Sequence, residues 1–251
     1  MRKTVGVVSA LAVAAGLVWV AGIESGGEDS FAGRSGPVIG HGKDRMPSST
    51  ASDWVTYADH VVVATAVGDK EVPPSAGEIE RGEGMIGRNV SMKVEKVLWS
   101  RPSPAQPAPD TYVRPSSGWV FKGGVGNRHE YALAERPRIE VGHHYVIALA
   151  WSPAKCSEGD KPEPAQWVGL GEGSTVPYDE GVIGRGEMEG RQQAAAARES
   201  GVTALAAVEG KLEEKLAGRS ADALVAALKT AEPSQNRATA PAARSLRGTC
   251  S

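Results

Sequence analysis

The feature that most constrains the fold is a pair of apolar segments, residues 58–67 and residues 89–99. The first is a short run rich in β-branched residues that ends at a glycine, which is typical of a strand buried on both faces. The second segment alternates, with Val90 and Met92 on one face, until the alternation slips by one residue at Glu95. Such a slip predicts a β-bulge, and bulges sharpen the bend that a small barrel needs.

Shorter strand-like segments follow along the chain, with turn residues between them and no amphipathic helix among them. They lie at residues 111–113, 118–122, 129–133, 144–151, 166–170 and 182–183. Short strands joined by turns predict an antiparallel sheet. The predicted fold is therefore mainly β, either a small antiparallel Greek-key barrel of the OB type or a compact sandwich, and the bulged second strand favours the barrel.

The periodicity becomes helical near the C-terminus and predicts a helical extension over residues 191–231. Gly218 should end one helix and Ser220 should cap the next. We expect these helices to pack back on the sheet rather than on a partner. From Pro233 onward the sequence has three arginines and no acidic residue, so we predict a disordered basic tail over residues 232–251.

The N-terminus has the pattern of an export segment. Arg2 and Lys3 precede an uncharged run that continues to Ile23. A run of about 20 apolar residues spans a bilayer, whereas the apolar region of a signal peptide has about 7 to 15. Because the nearest cleavage motif is weak, residues 1–23 favour an uncleaved single-pass anchor with its positive end inside the cell. A cleaved signal peptide and a secreted protein are the alternative.

Both alternatives place the rest of the chain outside the cell membrane. Residues 24–52, rich in Gly, Ser and charge, predict a flexible linker. A helical turn capped by Ser52 or Asp53 would then open the β-domain, which we place at residues 53–190.

The sequence contains two cysteines, Cys156 and Cys250. An oxidising compartment outside the membrane would allow them to form a disulfide. Two unpaired thiols are the alternative, because geometry decides whether a pair of cysteines can bridge.

Composition and spacing argue against several chemistries. A net charge of −2 without a central basic cluster argues against nucleic acid as a partner. The histidines have none of the spacings of metal ligands, and His143 and His144, adjacent at a strand start, should point to opposite faces. No motif of a serine hydrolase or of a nucleotide-binding loop occurs. We therefore predict no metal, no cofactor and no catalytic residue.

One glycine-rich segment, residues 167–187, concentrates side chains that could line a ligand cleft. The candidate ligand-binding residues are Tyr178, Asp179, Arg185 and Glu187. The alternative, which the sequence favours, is a surface loop whose charges are solvated. An enzyme would bring Asp179, Glu180, Glu187 and a histidine into one pocket.

Three segments, residues 58–63, 94–99 and 141–149, resemble uncharacterised exported proteins of high-GC actinobacteria. The resemblance covers about residues 53–190 and implies a small OB-like β-barrel outside the membrane, with no active-site residue to carry over. The first hypothesis is thus a non-catalytic, membrane-tethered binding module whose partner is an envelope protein or a small ligand. The alternative is a cell-envelope hydrolase that uses carboxylates of residues 172–187.

Overall fold

The structure is a computed structural model that describes residues 36–42, 46–134, 136–156, 163–187 and 211–234. The strands are β1 (Val38–Gly40), β2 (His60–Val72), β3 (Glu83–Ser100), β4 (Thr111–Lys122), β5 (Arg128–Leu133), β6 (His144–Ser152), β7 (Gln166–Gly169) and β8 (Thr175–Pro177). The helices are α1 (Ala51–Tyr57), α2 (Ala76–Arg81), α3 (Leu212–Leu216) and α4 (Ala221–Thr230), and Glu172–Ser174 and Asp179–Gly181 form 3₁₀ turns.

The strands form one eight-stranded sheet in the order β1-β5-β4-β3-β2-β6-β7, with β8 also paired to β6. Neighbours run antiparallel except β1 and β5, which run parallel. The prediction of a mainly β fold is confirmed. The sheet is open and mixed, however, and not the purely antiparallel sheet that was predicted. Its strands β4 and β7 approach each other at what we call the seam, but the described residues form no ladder between them.

Apolar side chains cover both faces of the sheet. The inner cluster consists of Val62, Ala64, Ala66, Val90, Met92, Tyr112, Ile139, Tyr145, Ile147, Leu149 and Trp167. The outer cluster consists of Trp54, Ala58, Val61, Val63, Val146, Ala148, Ala150, Leu170, Val176, Ile183, Leu212, Leu224 and Leu228. Consecutive residues of β2 thus enter opposite clusters, which confirms that this strand is buried on both faces.

The predicted bulge is confirmed. Val63 pairs with Lys96 while Ala64 pairs with Val94, so Glu95 is an extra residue in β3. A second shift leaves Leu98 without a partner in the same ladder.

Several strand boundaries differ from prediction. β2 and β3 extend through most of the expected loop between them, and α2 joins their ends. β4 runs without interruption through Pro115, where two strands were expected. Proline is tolerated there because β5 pairs only with residues 119–121 of β4, which leaves the backbone of Pro115 at a sheet edge. No strand forms at residues 182–183; β8 lies at 175–177 instead.

The start of the domain also differs. Thr50, rather than Ser52 or Asp53, caps α1. The Asp53 carboxylate in turn accepts a hydrogen bond from the Thr50 amide, which completes a capping box. Within the predicted linker, β1 pairs with β5, so that part of residues 24–52 belongs to the sheet. A three-residue strand has too little periodicity to be recognised in sequence.

Helices α1, α3 and α4 pack on the outer cluster, as expected for the two C-terminal helices. Trp54 of α1 is buried there and its indole N–H donates to the Ser48 carbonyl at 2.7 Å. Leu224 and Leu228 of α4 join the same cluster. Gly218 has the positive φ of a helix terminator, as predicted. Ser220 occupies the N-cap position of α4 as expected, but its side chain makes no capping hydrogen bond.

Some predicted segments lie outside the described residues: the N-terminal segment 1–23, most of the predicted linker, residues 191–210 of the helical extension and residues 235–251 of the tail. Within the part that is described, every helix is too short or too polar to cross a bilayer. Residues 232–234 contact α1, because Ser52 donates to the Glu232 carbonyl and Thr56 accepts from the Ser234 amide.

The predicted cysteine bridge can be tested directly. Cys156 is disulfide-bonded in the structure, whereas Cys250 lies outside the described residues. We predict that the secreted or anchored chain, denatured without reductant, takes up no iodoacetamide, and that a Cys250→Ser variant takes up one equivalent at Cys156. Uptake of two equivalents by the unreduced wild-type chain would show that the cysteines do not pair.

A capping box at α2 predicts an unusually acidic carboxyl group. The Glu78 carboxylate accepts hydrogen bonds from the Ser75 hydroxyl and amide at 2.7 and 2.8 Å and from the Met85 amide at 3.1 Å. These bonds lower the pKa of Glu78 to about 2. Because the folded-state pKa is depressed, the stabilisation by the cap is fully present above the ordinary glutamate pKa of 4.5 and is lost as pH falls toward about 2.

Carbon-detected NMR of the Glu78 carboxyl group measures this pKa. We expect a midpoint near 2 in the wild type, and a Ser75→Ala variant should move it upward because the largest contribution comes from the Ser75 hydroxyl. An ordinary midpoint in the wild type would contradict the capping box.

Candidate functional site

The predicted loop forms an ordered turn beside the start of β6. Tyr178 and Arg185 form an isolated parallel bridge, and the Asp179 amide donates to the Arg185 carbonyl at 2.8 Å. The turn is closed by Glu180 and Gly181, which both have positive φ, 54° and 76°. Hydrogen bonds between backbone groups, rather than a ligand, therefore account for the shape of this loop.

Asp179 brings both neighbouring histidines together. Its carboxylate lies 2.5 Å from Nδ1 of His143 and accepts from the His144 amide at 2.8 Å, and His144 Nδ1 is 3.6 Å away. The prediction that the two histidines diverge is wrong, because His143 precedes β6 in a turn and strand alternation does not apply to it. Burial opposes ionisation of Asp179, but these hydrogen bonds and the histidine contacts lower its pKa overall.

The other predicted residues have structural contacts. Arg185 forms an exposed ion pair with Glu180. Tyr178 packs on the outer cluster, and its hydroxyl accepts from the amide of Ala221 at 3.3 Å. Glu187 is buried and accepts from the backbone amide of Arg138.

These contacts separate the candidates. Asp179 and its two histidines lie at one end of β6. Glu180 forms its ion pair with Arg185 in solvent, and Glu187 binds Arg138 in the segment that precedes β6. None of the candidates lines the cavity that the described residues form between β4 and β7. The same residues contain no cluster of three metal-ligating side chains.

A cavity with a volume of about 630 Å³ lies at the seam. Its walls are residues 114–117 of β4, residues 166–169 of β7 and residues 136–139, which precede β6. Ile139 and Trp167 belong both to this wall and to the inner cluster, so the cavity opens from the interior of the curved sheet. Its volume falls in the range of about 300–1,000 Å³ that is typical of ligand pockets.

The described polar lining of this cavity is cationic and neutral. It consists of Arg114, Ser116, Ser117, Tyr131, Arg136, Arg138, Gln166 and Thr175. No carboxylate is among the described lining residues. The cavity therefore differs in charge from the acidic loop that sequence analysis selected.

Arg114 crosses the seam. It lies on the same face of β4 as buried Tyr112, and a Cβ on Gly169 of β7 would be 3.1 Å from its Nη1 and 3.3 Å from its Nη2. Nη1 is buried and has no hydrogen-bond partner among the described residues. The same holds for the Thr175 hydroxyl, which lines the cavity.

The wall at residues 136–139 is fixed by a second inward arginine. Arg88 of β3 is buried, with only 1% of its side chain exposed. Its Nε donates to Asp69 at 2.7 Å, and its Nη atoms contact the carbonyls of Arg138 and Ile139 and the carboxylate of Glu140. These bonds hold Ile139 at φ = 60°, a conformation that is unusual for a β-branched residue.

Sequence analysis missed both arginines. Ile86, Arg88, Val90 and Met92 alternate inward in one continuous strand, but the strand was predicted to begin at residue 89. Arg114 was missed because residues 114–117, which include Pro115, were predicted to form a turn between two strands. In each case, extending the alternation of inward and outward side chains a few residues beyond the predicted end of the strand would have identified the arginine.

Comparison with protein-family models and with curated proteins finds no match to this chain. The function must therefore be inferred from the residues of the site.

Proposed function

We propose that this chain is a non-catalytic binding module, held outside the cell membrane by an N-terminal anchor, and that a small ligand enters its seam cavity. The observation that carries the proposal is the cavity of about 630 Å³, which Arg114 lines and whose described lining holds no carboxylate. A concave, largely apolar wall with few polar groups is typical of sites for small ligands. We therefore favour a small ligand over an envelope protein as the partner.

The proposal includes an OB-like fold. β2, β3 and β4 form a meander, β6 pairs with β2 and with β7, and β7 approaches β4. This arrangement supports a partly open Greek-key barrel of the OB type, to which β1, β5 and β8 are additions. Nucleic acid is not the proposed ligand, because a net charge of −2 does not favour phosphate binding.

A cell-envelope hydrolase remains the second candidate, and one observation favours it. The contact of 2.5 Å between Asp179 and His143 could orient the imidazole as a general base. The other predicted carboxylates do not join this pair, because Glu180 pairs with Arg185 and Glu187 binds the Arg138 amide. The two candidates therefore place function at different ends of the domain.

A thermal-shift screen with anionic, neutral and cationic small molecules separates them. Ser116 lies on the same face of β4 as Arg114 and lines the cavity, so a Ser116→Phe variant should fill it. We expect compounds that stabilise the wild type to stabilise an Arg185→Ala control equally and to lose their effect on Ser116→Phe. Loss of binding in Arg185→Ala alone, or esterase or glycosidase turnover that Asp179→Asn abolishes, would contradict the proposal.

Protease protection tests the location. In intact protoplasts that express the full chain, external protease should digest the β-domain while a cytosolic marker stays intact. Recovery of the undigested chain with the cytosolic marker would contradict an extracytoplasmic module.

A further inference from the structure

We propose that the seam cavity recognises a small ligand with a single carboxylate on an apolar body, and that Arg114 is the residue that binds the carboxylate. This inference rests on the proposed function, because it specifies the ligand of the same cavity. The inference names the chemical class of the ligand and the residue that determines the specificity of the cavity.

The state of Arg114 is the first argument. A guanidinium always carries its charge, and a cation taken out of water is costly unless an anion or several acceptors compensate it. The described residues offer Arg114 no carboxylate, and its Nη1 lacks any hydrogen-bond partner among them. The neighbouring Tyr112 hydroxyl interacts with the Arg114 guanidinium, which opposes the effect of burial, but burial dominates and raises the pKa of Tyr112, so this neighbour supplies no anion.

The position of Arg114 is the second argument. Gly169 permits the guanidinium to lie against the backbone of β7, because any Cβ there would be about as close as 3.1 Å to it. The guanidinium is thereby held between two strands, in a side chain that lines the cavity. A planar fork held in this way matches the two oxygens of a carboxylate.

The other polar groups argue for one carboxylate rather than a phosphate. Of the other two arginines in the lining, Arg138 pairs with Glu140 and its Nη2 donates to the Gly118 carbonyl at 3.2 Å, and Arg136 also has a partner. The unpartnered hydroxyl of Thr175 is neutral and can donate one hydrogen bond. One uncompensated guanidinium with a neutral donor suits a monoanion, whereas a phosphate dianion would need more positive charge.

The remaining wall argues for an apolar body. Met85, Val168 and Leu170 line the cavity together with Ile139 and Trp167. A ligand made only of polar groups would leave this surface without a complement.

An inward-pointing charge has another known use. β4 lacks a ladder partner on one side at Arg114, and charges near an unpaired edge hinder association of the edge with other chains. In that case the cavity would show no preference between a carboxylate and a neutral group. The two explanations therefore predict different results with matched ligands.

Naphthalene-2-carboxylate and naphthalene-2-carboxamide form such a pair, because they share the apolar rings and nearly the same shape. Calorimetric titration of the full chain should give an affinity for the carboxylate at least about tenfold higher than for the amide, as a charge-assisted pair replaces a neutral hydrogen bond. This comparison uses the wild type alone, so no variant needs to fold.

Variants then locate the contact. Arg114→Met should abolish the preference, and Arg114→Lys should retain only part of it because lysine lacks the bidentate fork. Arg128→Met is the matched control: Arg128 pairs with Glu71 in solvent, away from the cavity, and its loss should leave both affinities unchanged.

The outcomes separate the two proposals. If amide and carboxylate bind equally and Ser116→Phe removes both, the carboxylate inference is wrong while the proposed function stands. If the carboxylate is preferred but Arg114→Met keeps the full preference, Arg114 is not the recognition residue and the inference is wrong. If Ser116→Phe leaves the binding of every compound intact, the seam cavity is not the site and both proposals are wrong.

Discussion

Replacement of Arg88 by methionine should lower the free energy of unfolding by about 3–5 kcal/mol, the cost of removing one partner of a buried ion pair. The change leaves the Asp69 and Glu140 carboxylates without their shared cation. It also removes the donors to the carbonyls of Arg138 and Ile139. The effect should be large because one side chain satisfies acceptors from two separate segments, β2 and residues 138–140.

Urea denaturation followed by tryptophan fluorescence measures this loss. Arg128→Met is the control, because Arg128 pairs with Glu71 at 2.7 Å but both side chains are largely exposed, 39% and 45%. Exposed pairs contribute about 0–1 kcal/mol, so the control should remain near the wild type. Similar losses in the two variants would show that the Arg88 network does not hold the domain together.

The second large effect is expected at Asp59, where replacement by alanine should cost about 3 kcal/mol. Asp59 is buried between the start of β2 and the loop that joins β3 to β4. One carboxylate oxygen accepts from the Trp151 amide at 2.8 Å and the other from the Ala105 amide at 3.2 Å, and Arg101 approaches at 3.4 Å. Alanine would leave two amides without their acceptor.

Hydrogen exchange distinguishes this from a general loss of stability. The amides of Ala105 and Trp151 should lose more protection in Asp59→Ala than the amides of α4 do. Asp110→Ala, at an exposed position of the same loop, should change stability by no more than about 0.5 kcal/mol. Unchanged protection at Ala105 would contradict the role of Asp59 in anchoring the loop.

His60 shows what the local sequence could not predict. Its ring nitrogens lie 2.8 Å from the Ser100 hydroxyl and 2.8 Å from the Gln106 carbonyl. The carbonyl can only accept, so Nε2 donates to it. Its partners, 40 and 46 residues away in sequence, could not be identified before the fold was known.

The unbroken strand β2 and the bulge in β3 were predictable because burial on both faces and a slip in alternation are local patterns. β1 was not, because a three-residue strand depends on β5 for all its pairing. The candidate site shows the same limit. Asp179 and Arg185 were correctly associated in one turn, but Arg114, Gly169 and Thr175 meet only through the curvature of the whole sheet.

The most direct test of a binding site at the seam is the amide spectrum of the ¹⁵N-labelled chain during titration with naphthalene-2-carboxylate. We predict that the largest shifts occur at residues 116–118 and 166–170, which line or adjoin the cavity, while residues 178–185 stay unchanged. Shifts concentrated at Asp179, His143 and His144, with none in β4 or β7, would contradict the account.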